Sequence, residues 1–190
     1  MRERPLRLST VRMDSLAVLS LPATRAAPLL LGWQMQAHGV VLRIAEVEAY
    51  QGESDLACHA SRGRTPRTAT LYGPPGRLYV YLCYGMYWML NLVCDREGVP
   101  SAVLVRGVII DGMDTRRTNG PGKVTQALGI DHRHHGLILG EAGCPVSLLP
   151  PTNPVPRRQR GARVGVAYAG PVWAGKRWRW WMEGFPAVKG

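Results

Sequence analysis

Phenylalanine occurs once in the 190 residues, and only Lys123, Lys176 and Lys189 are lysine. With one Phe against seven Tyr and six Trp, almost every aromatic ring carries a polar handle, which suits surfaces that meet polar ligands. Scarce lysine leaves few amines for Schiff-base chemistry. The four cysteines, Cys58, Cys83, Cys94 and Cys144, form no CxxC pair, so zinc-finger and thioredoxin-like sites are excluded. Cys83 and Cys94 lie in apolar runs and read as buried thiols. No apolar stretch approaches the ~20 residues of a membrane-spanning helix. The short run Ser15 to Leu21 follows a basic start as a signal peptide would, but Pro22 and Arg25 interrupt it at once. No internal repeat and no low-complexity segment is present.

What is abundant is positive charge. Lys and Arg number 24 against 13 acids, a net charge of +11 and a pI near 10.2. Codon usage accounts for the preference for arginine, but not for the excess over acids. A polyanionic partner follows, nucleic acid first among them. Hydrophobic residues at 46% and charged residues at 19% describe a folded domain rather than a disordered chain.

Along the chain, residues 1–22 read as a basic, weakly structured arm and 23–190 as a single domain. Residues 23–35 suggest a short helix, with Thr24 as cap and Gly32 near its end. The β-branched run 40–50 predicts a strand. Residues 51–77 form a long loop carrying Arg62, Arg64, Arg67 and Arg77, and loops of that length in compact domains are usually functional. Residues 78–93 predict strand, tight passage at Gly85, then a second apolar run; 101–110 predict another strand. In 119–130, Pro121 suits a first helical turn and Gly129 a helix end. Residues 131–160 read as loop, and 162–169 and 177–183 as closing strands. Most connections are too short for parallel crossovers, so the fold class is α/β in the α+β sense, with an antiparallel or mixed sheet.

Several clusters carry chemistry. In VVLRIAEVEAY, strand alternation puts Glu46, Glu48 and Tyr50 on one face, and Val41, Arg43, Ala45, Val47 and Ala49 on the other. Two carboxylates on an apolar strand are either a solvated edge or a functional pair. Tyr79, Tyr81, Tyr84 and Tyr87 are a stacking platform for a nucleobase or simply a tyrosine-rich core. His132, His134 and His135 lack the partners of a metal site and read as an exposed loop. His59 alone reads as structural. GPVWAGKR (170–177) nearly matches a P-loop, but Arg177 replaces the magnesium-binding hydroxyl and the tail is too short for the βαβ unit. NGPGK (119–123) puts amides at a helix start beside Lys123, a weak phosphate signal.

In chain order, EVEAY (46–50), ESDLACHAS (53–61), TPRTATLYGPPGRLYVYLCYGMYWMLN (65–91), AVLVRGV (102–108), NGPGKVTQALGI (119–130), RVGVAYAG (163–170) and WRWWMEG (178–184) resemble the alkyladenine (3-methyladenine) DNA glycosylase family. The resemblance runs from about residue 40 to 185. It implies a single compact domain around a curved, largely antiparallel β-sheet with short flanking helices, and hydrolysis of the N-glycosidic bond of alkylated or deaminated purines. It further implies Glu48 as general base for water, with Arg106 fixing that water and a phosphate. Tyr50, His59, Tyr81 and Asn91 would line the base pocket, and Tyr84 would intercalate. Lys123, Arg64 and Arg67 are the expected contacts to the DNA backbone. Expected with these are a monomer acting on damaged double-stranded DNA, no metal, no cofactor, no membrane, a monofunctional reaction leaving an abasic site, and a cytoplasmic, nucleoid-associated location. A basic nucleic-acid-binding module without catalysis explains the charge but not two acids on one strand face. A nucleoside hydrolase explains the acids but not the arginine loop.

Overall fold

The computed structural model describes residues 14–187. Its spine is β2 (Val40–Gln51), the longest strand and almost wholly buried from Leu42 onward. One edge of β2 pairs with β5 (Ser101–Ile109). The other edge changes partner along its length. Val40 to Arg43 pair with β1 (Gln34–Ala37), and Glu46 to Glu48 pair with β8 (Arg179–Met182). The exchange is made at a double bulge. Ile44 and Glu46 face consecutive residues of β5, Val108 and Gly107, so Ala45 is extra. Glu46 and Val47 then face Gly107 and Val105, so Arg106 is extra on the other strand.

The bulge corrects the expected alternation. Val41 is 49% exposed, whereas Leu42, Ile44, Ala45, Val47 and Ala49 all enter the core. An inserted residue reverses the parity of everything before it. Glu46, Glu48 and Tyr50 do share a face, but that face is enclosed, not a solvated edge.

The sheet continues through β4 (Tyr87–Val93) and β3 (Leu78–Cys83) on one side and β6 (Ser147–Leu149) on the other, in the order β3-β4-β5-β2-β1-β6. β7 (Arg158–Gly161) pairs with β8. All these pairs are antiparallel, and the eight strands form an open sheet in one compact domain. One face is covered by helices. In α2 (Ala23–Leu30), Ala23, Ala26, Ala27 and Leu30 make the buried i, i+3, i+4, i+7 stripe. α3 (Pro121–Leu128) starts at Pro121 and ends at Gly129 in the left-handed conformation, as its sequence predicts. α1 (Ser15–Leu19) and α4 (Gly170–Ala174) are the other α-helices among the described residues.

Five sequence expectations change. The first helix stops at Leu30 because Gly32, at φ +86°, turns the chain, and residues 34–37 become β1. Thr24 does not cap it: Pro22 holds that position, and the Thr24 N–H donates to the Gln51 side chain. Of the expected arm, residues 1–13 lie outside the described residues, but α1 buries Val18 and Leu19, and the Asp95 N–H ties down the carbonyls of Leu19 and Leu21. Residues 162–169 form no strand, since Gly165 and Gly170 at positive φ break the extended run and Arg163 is drawn inward. The loop read over 131–160 includes the short strands β6 and β7.

Candidate active site

On the face of the sheet opposite α2, one row crosses four strands in register: Glu48 opposite Leu104, Leu104 opposite Asn91, Asn91 opposite Tyr79. Above this row lies a cavity of about 960 Å³, near the upper end for ligand pockets. Tyr50, His59, Tyr81, Tyr84, Asn91, Arg67 and Arg106 all line it. Residues scattered over nearly 60 positions thus converge because β2, β5, β4 and β3 are neighbours.

Glu48 is fully buried just behind the lining formed by Tyr50, Arg106 and Val164. Its Oε1 accepts from the Val164 N–H at 2.7 Å and lies 3.4 Å from Arg106 Nε. Its Oε2 accepts from the Tyr50 hydroxyl at 2.9 Å. A carboxylate offers about four lone-pair sites, so one site at Oε2 remains. Burial, and then the neighbouring Glu48 charge, push the Tyr50 phenol well above its usual range, so it stays a proton donor.

The aromatic wall is built on β3. The ring of His59 lies edge-on to Tyr81 with centroids 4.6 Å apart, and its Nδ1 is 2.9 Å from the Tyr79 hydroxyl. Burial, reinforced by the Arg67 charge, lowers the His59 pKa to about 4. The ring is therefore neutral near pH 7, with Nε2 the nitrogen not committed to Tyr79. Asn91 donates through Nδ2 to the Tyr79 carbonyl at 3.1 Å, which fixes its amide. Burial also raises the Tyr81 phenol out of the titratable range.

Tyr84 sits at the tip of the β3–β4 hairpin and is 86% exposed. Tyr84 (φ 51°) and Gly85 (φ 69°) are both left-handed, as in a type I′ turn, and the Met86 N–H closes on Cys83 O at 3.1 Å. A bulky residue at positive φ is strained, and strain of this kind collects at functional sites.

Of the remaining basic candidates, only Arg67 lines the cavity. Arg67 stacks over Tyr81 and Arg64 over Tyr72, at 5.7 and 5.6 Å from the ring centroids. Lys123 does not line the cavity; its ammonium donates to Arg116 O at 2.6 Å and Asn119 Oδ1 at 2.9 Å. His134 is buried rather than exposed, with Nε2 3.1 Å from His38 Nε2, and His135 Nδ1 faces the Val80 backbone. Among the described residues, no three His, Cys, Asp or Glu side chains gather as metal ligands.

Sequence reasoning missed the supports. Val164 contributes a backbone amide, and nothing in an aliphatic side chain announces that. Asp55 and Arg163 form a buried bidentate pair, with Nη1–Oδ2 at 2.5 Å and Nη2–Oδ1 at 2.8 Å, which clamps the 51–77 loop to the 161–166 loop. The Arg163 guanidinium also stacks on Tyr50 at 4.8 Å and on Trp178 at 5.1 Å.

Comparison with known proteins adds an independent line. Residues 17–186 match the family profile described as methylpurine-DNA glycosylase (MPG). The chain is 48% identical over 147 residues to a protein of Myxococcus xanthus named putative 3-methyladenine DNA glycosylase, covering 74% of this chain and 73% of that one. It is 45% identical over 177 residues to the DNA-3-methyladenine glycosylase of Arabidopsis thaliana, covering 85% and 68%. A putative 3-methyladenine DNA glycosylase of Cutibacterium acnes is 40% identical over 196 residues, covering 90% and 97%.

Proposed function

Because the chain belongs to the methylpurine-DNA glycosylase family, we propose that it is a monofunctional DNA-repair hydrolase that flips damaged purines out of duplex DNA and cuts their N-glycosidic bond with water. The observation that carries this reading is a fully buried Glu48 carboxylate set directly behind the Tyr50 and Arg106 lining of an aromatic cavity, in a protein of charge +11. A duplex hides C1′, so the target nucleotide must leave the stack, at a cost of about a few kcal/mol. Tyr84, exposed at the hairpin tip, fills the gap left behind. The extruded base enters between Tyr50 and Tyr81, where a cationic alkylpurine is favoured by the ring faces. His59 Nε2–H meets an acceptor on the base, and Asn91 abuts its edge.

Water held at the open lone pair of Glu48 Oε2 attacks C1′ as the bond to the purine nitrogen breaks. The bonding electrons leave with the base, which departs neutral if it was cationic and as an anion that takes a proton from solvent if it was neutral, and the water proton passes to Glu48. The sugar gains oxocarbenium character, and the adjacent carboxylate stabilises it. Arg106, 8% exposed in its side chain, orients the water and a flanking phosphate. No step calls for a metal or cofactor. Lys123 and Lys176 both lie off the cavity lining, which supports hydrolysis without a lyase step. Arg64, Arg67 and Lys123 contact phosphates, and the enzyme acts as a monomer in the cytoplasm, on nucleoid DNA. Its four cysteines are free thiols, consistent with that compartment.

The test is base release from duplexes carrying hypoxanthine or 1,N6-ethenoadenine, and from methylated DNA, comparing native protein with Glu48→Gln. Release by the native protein alone, with duplex binding kept by both, is the expected result. Tight, salt-sensitive binding with no release by either would replace the enzyme by a nucleic-acid-binding module.

A further inference from the structure

Glu46 is a second carboxylate, 0% exposed, that the proposed chemistry leaves unused. Its Oε1 accepts from Arg106 Nε at 3.3 Å, the same nitrogen that lies 3.4 Å from Glu48 Oε1. A second guanidinium, that of Arg179 on β8, reaches the same Oε1 at 3.3 Å. The arrangement depends on the double bulge, which inserts Arg106 between the two acids. It also depends on Gly107, opposite Glu46, where a Cβ would sit 2.5 Å from the Phe185 ring and 3.1 Å from Glu46 Cβ. Burial raises the Glu46 pKa, and Arg106 and Arg179 pull it back. Enclosed charge of this kind adds little stability, since apolar residues of equal volume pack as well or better. Its value must lie in what it does to Arg106.

We propose that Glu46 is a positioning residue for base release. It shares the Nε–H of Arg106 with Glu48, which holds the guanidinium under the cavity and prevents it from closing on Glu48 as a one-to-one ion pair. The terminal nitrogens of Arg106 thereby stay available to water and phosphate. This rests on the reading of Glu48 as general base. The charged and titratable groups around the pair are Arg106 from β5, Arg179 from β8, and Tyr50 on β2 with Arg163 behind it.

The test is single-turnover base release from a hypoxanthine duplex across pH 4.5–9, for native protein, Glu46→Gln and Arg179→Gln, with lesion-DNA affinity and Tm measured alongside. Removing the Glu46 charge withdraws a like charge and frees Arg106 for Glu48. Release should then slow about tenfold above neutral pH, and the acid limb of the profile should move about one unit lower, with DNA affinity within twofold of native. Arg179→Gln removes a positive charge from the far side of Glu46, so its acid limb should move higher. A merely structural role would lower Tm or rate without moving the limbs in opposite directions, and that result overturns the proposal. If Glu46→Gln does not fold, the direction of the Arg179→Gln shift decides alone. Native protein that releases no base would instead refute the glycosylase reading itself.

Discussion

Asp55→Asn is nearly isosteric, yet it should be among the most damaging single changes in this protein. All four acceptor sites of the carboxylate are filled: by Arg163 Nη1 at 2.5 Å, Arg163 Nη2 at 2.8 Å, Gln51 N at 3.2 Å and Ala57 N at 3.1 Å. An asparagine accepts through one oxygen only, and its NH₂ would face donors. The Arg163 guanidinium, fully buried, would lose its counter-charge. Breaking a buried pair from one side costs about 3–5 kcal/mol. For a domain of this size that is a Tm loss of roughly 6–20 °C. Urea unfolding followed by tryptophan fluorescence would measure it, with an unchanged m-value showing that stability alone moved. The double variant Asp55→Asn/Arg163→Met removes the orphaned charge and should recover about 1–3 kcal/mol relative to additivity. Base release should fall as well, because Arg163 backs Tyr50 and precedes the amide that holds Glu48. A loss under about 1 kcal/mol, or strict additivity in the double variant, would refute the view that this clamp holds the two pocket loops together.

Three further expectations concern the same region. His59 has its pKa lowered to about 4 from 6.5, first by burial, so the unfolded chain binds the extra proton between those values. The stability it contributes is complete above pH 6.5 and lost as pH falls toward 4, about 2 kcal/mol after allowance for partial solvent contact; urea midpoints against pH should lose this slope in His59→Gln. Gly107→Ala places a methyl 2.5 Å from Phe185 Cε1 and should cost about 1–3 kcal/mol by thermal unfolding, relieved when combined with Phe185→Leu. Tyr84→Asn puts a residue that tolerates positive φ at φ 51°, so Tm should hold or rise slightly while base release from duplex DNA falls; a fall in both would argue that the tip is structural.

Much of the fold was legible locally. Pro121 and Gly129 bracket α3 because each meets a backbone demand that needs no tertiary partner. The β-branched run announced β2, and the closely spaced apolar runs announced an antiparallel sheet. β1 and β6 were not legible: each is four residues or fewer, and such strands exist only through the neighbours that complete their hydrogen bonds. The helix expected to run through residue 35 failed for a local reason, since Gly32 takes a conformation that a periodic pattern does not reveal.

By itself the sequence determined the partner class, through an excess of arginine over acid, and the residue types available for chemistry. Ordered motifs marked Glu48, Tyr50, His59, Tyr81, Tyr84, Asn91 and Arg106 as one set. Only the tertiary structure decided how they are placed relative to one another. Strand alternation predicts which side chains share a face, but a bulge is an agreement between two strands, and neither strand encodes it alone. That agreement buried Glu46 beside Arg106 and turned a stripe of acids into a shared ionic cluster. Likewise, the Val164 amide and the Asp55–Arg163 clamp join segments more than a hundred residues apart, and their effect is set by distance in space, which residue spacing does not carry.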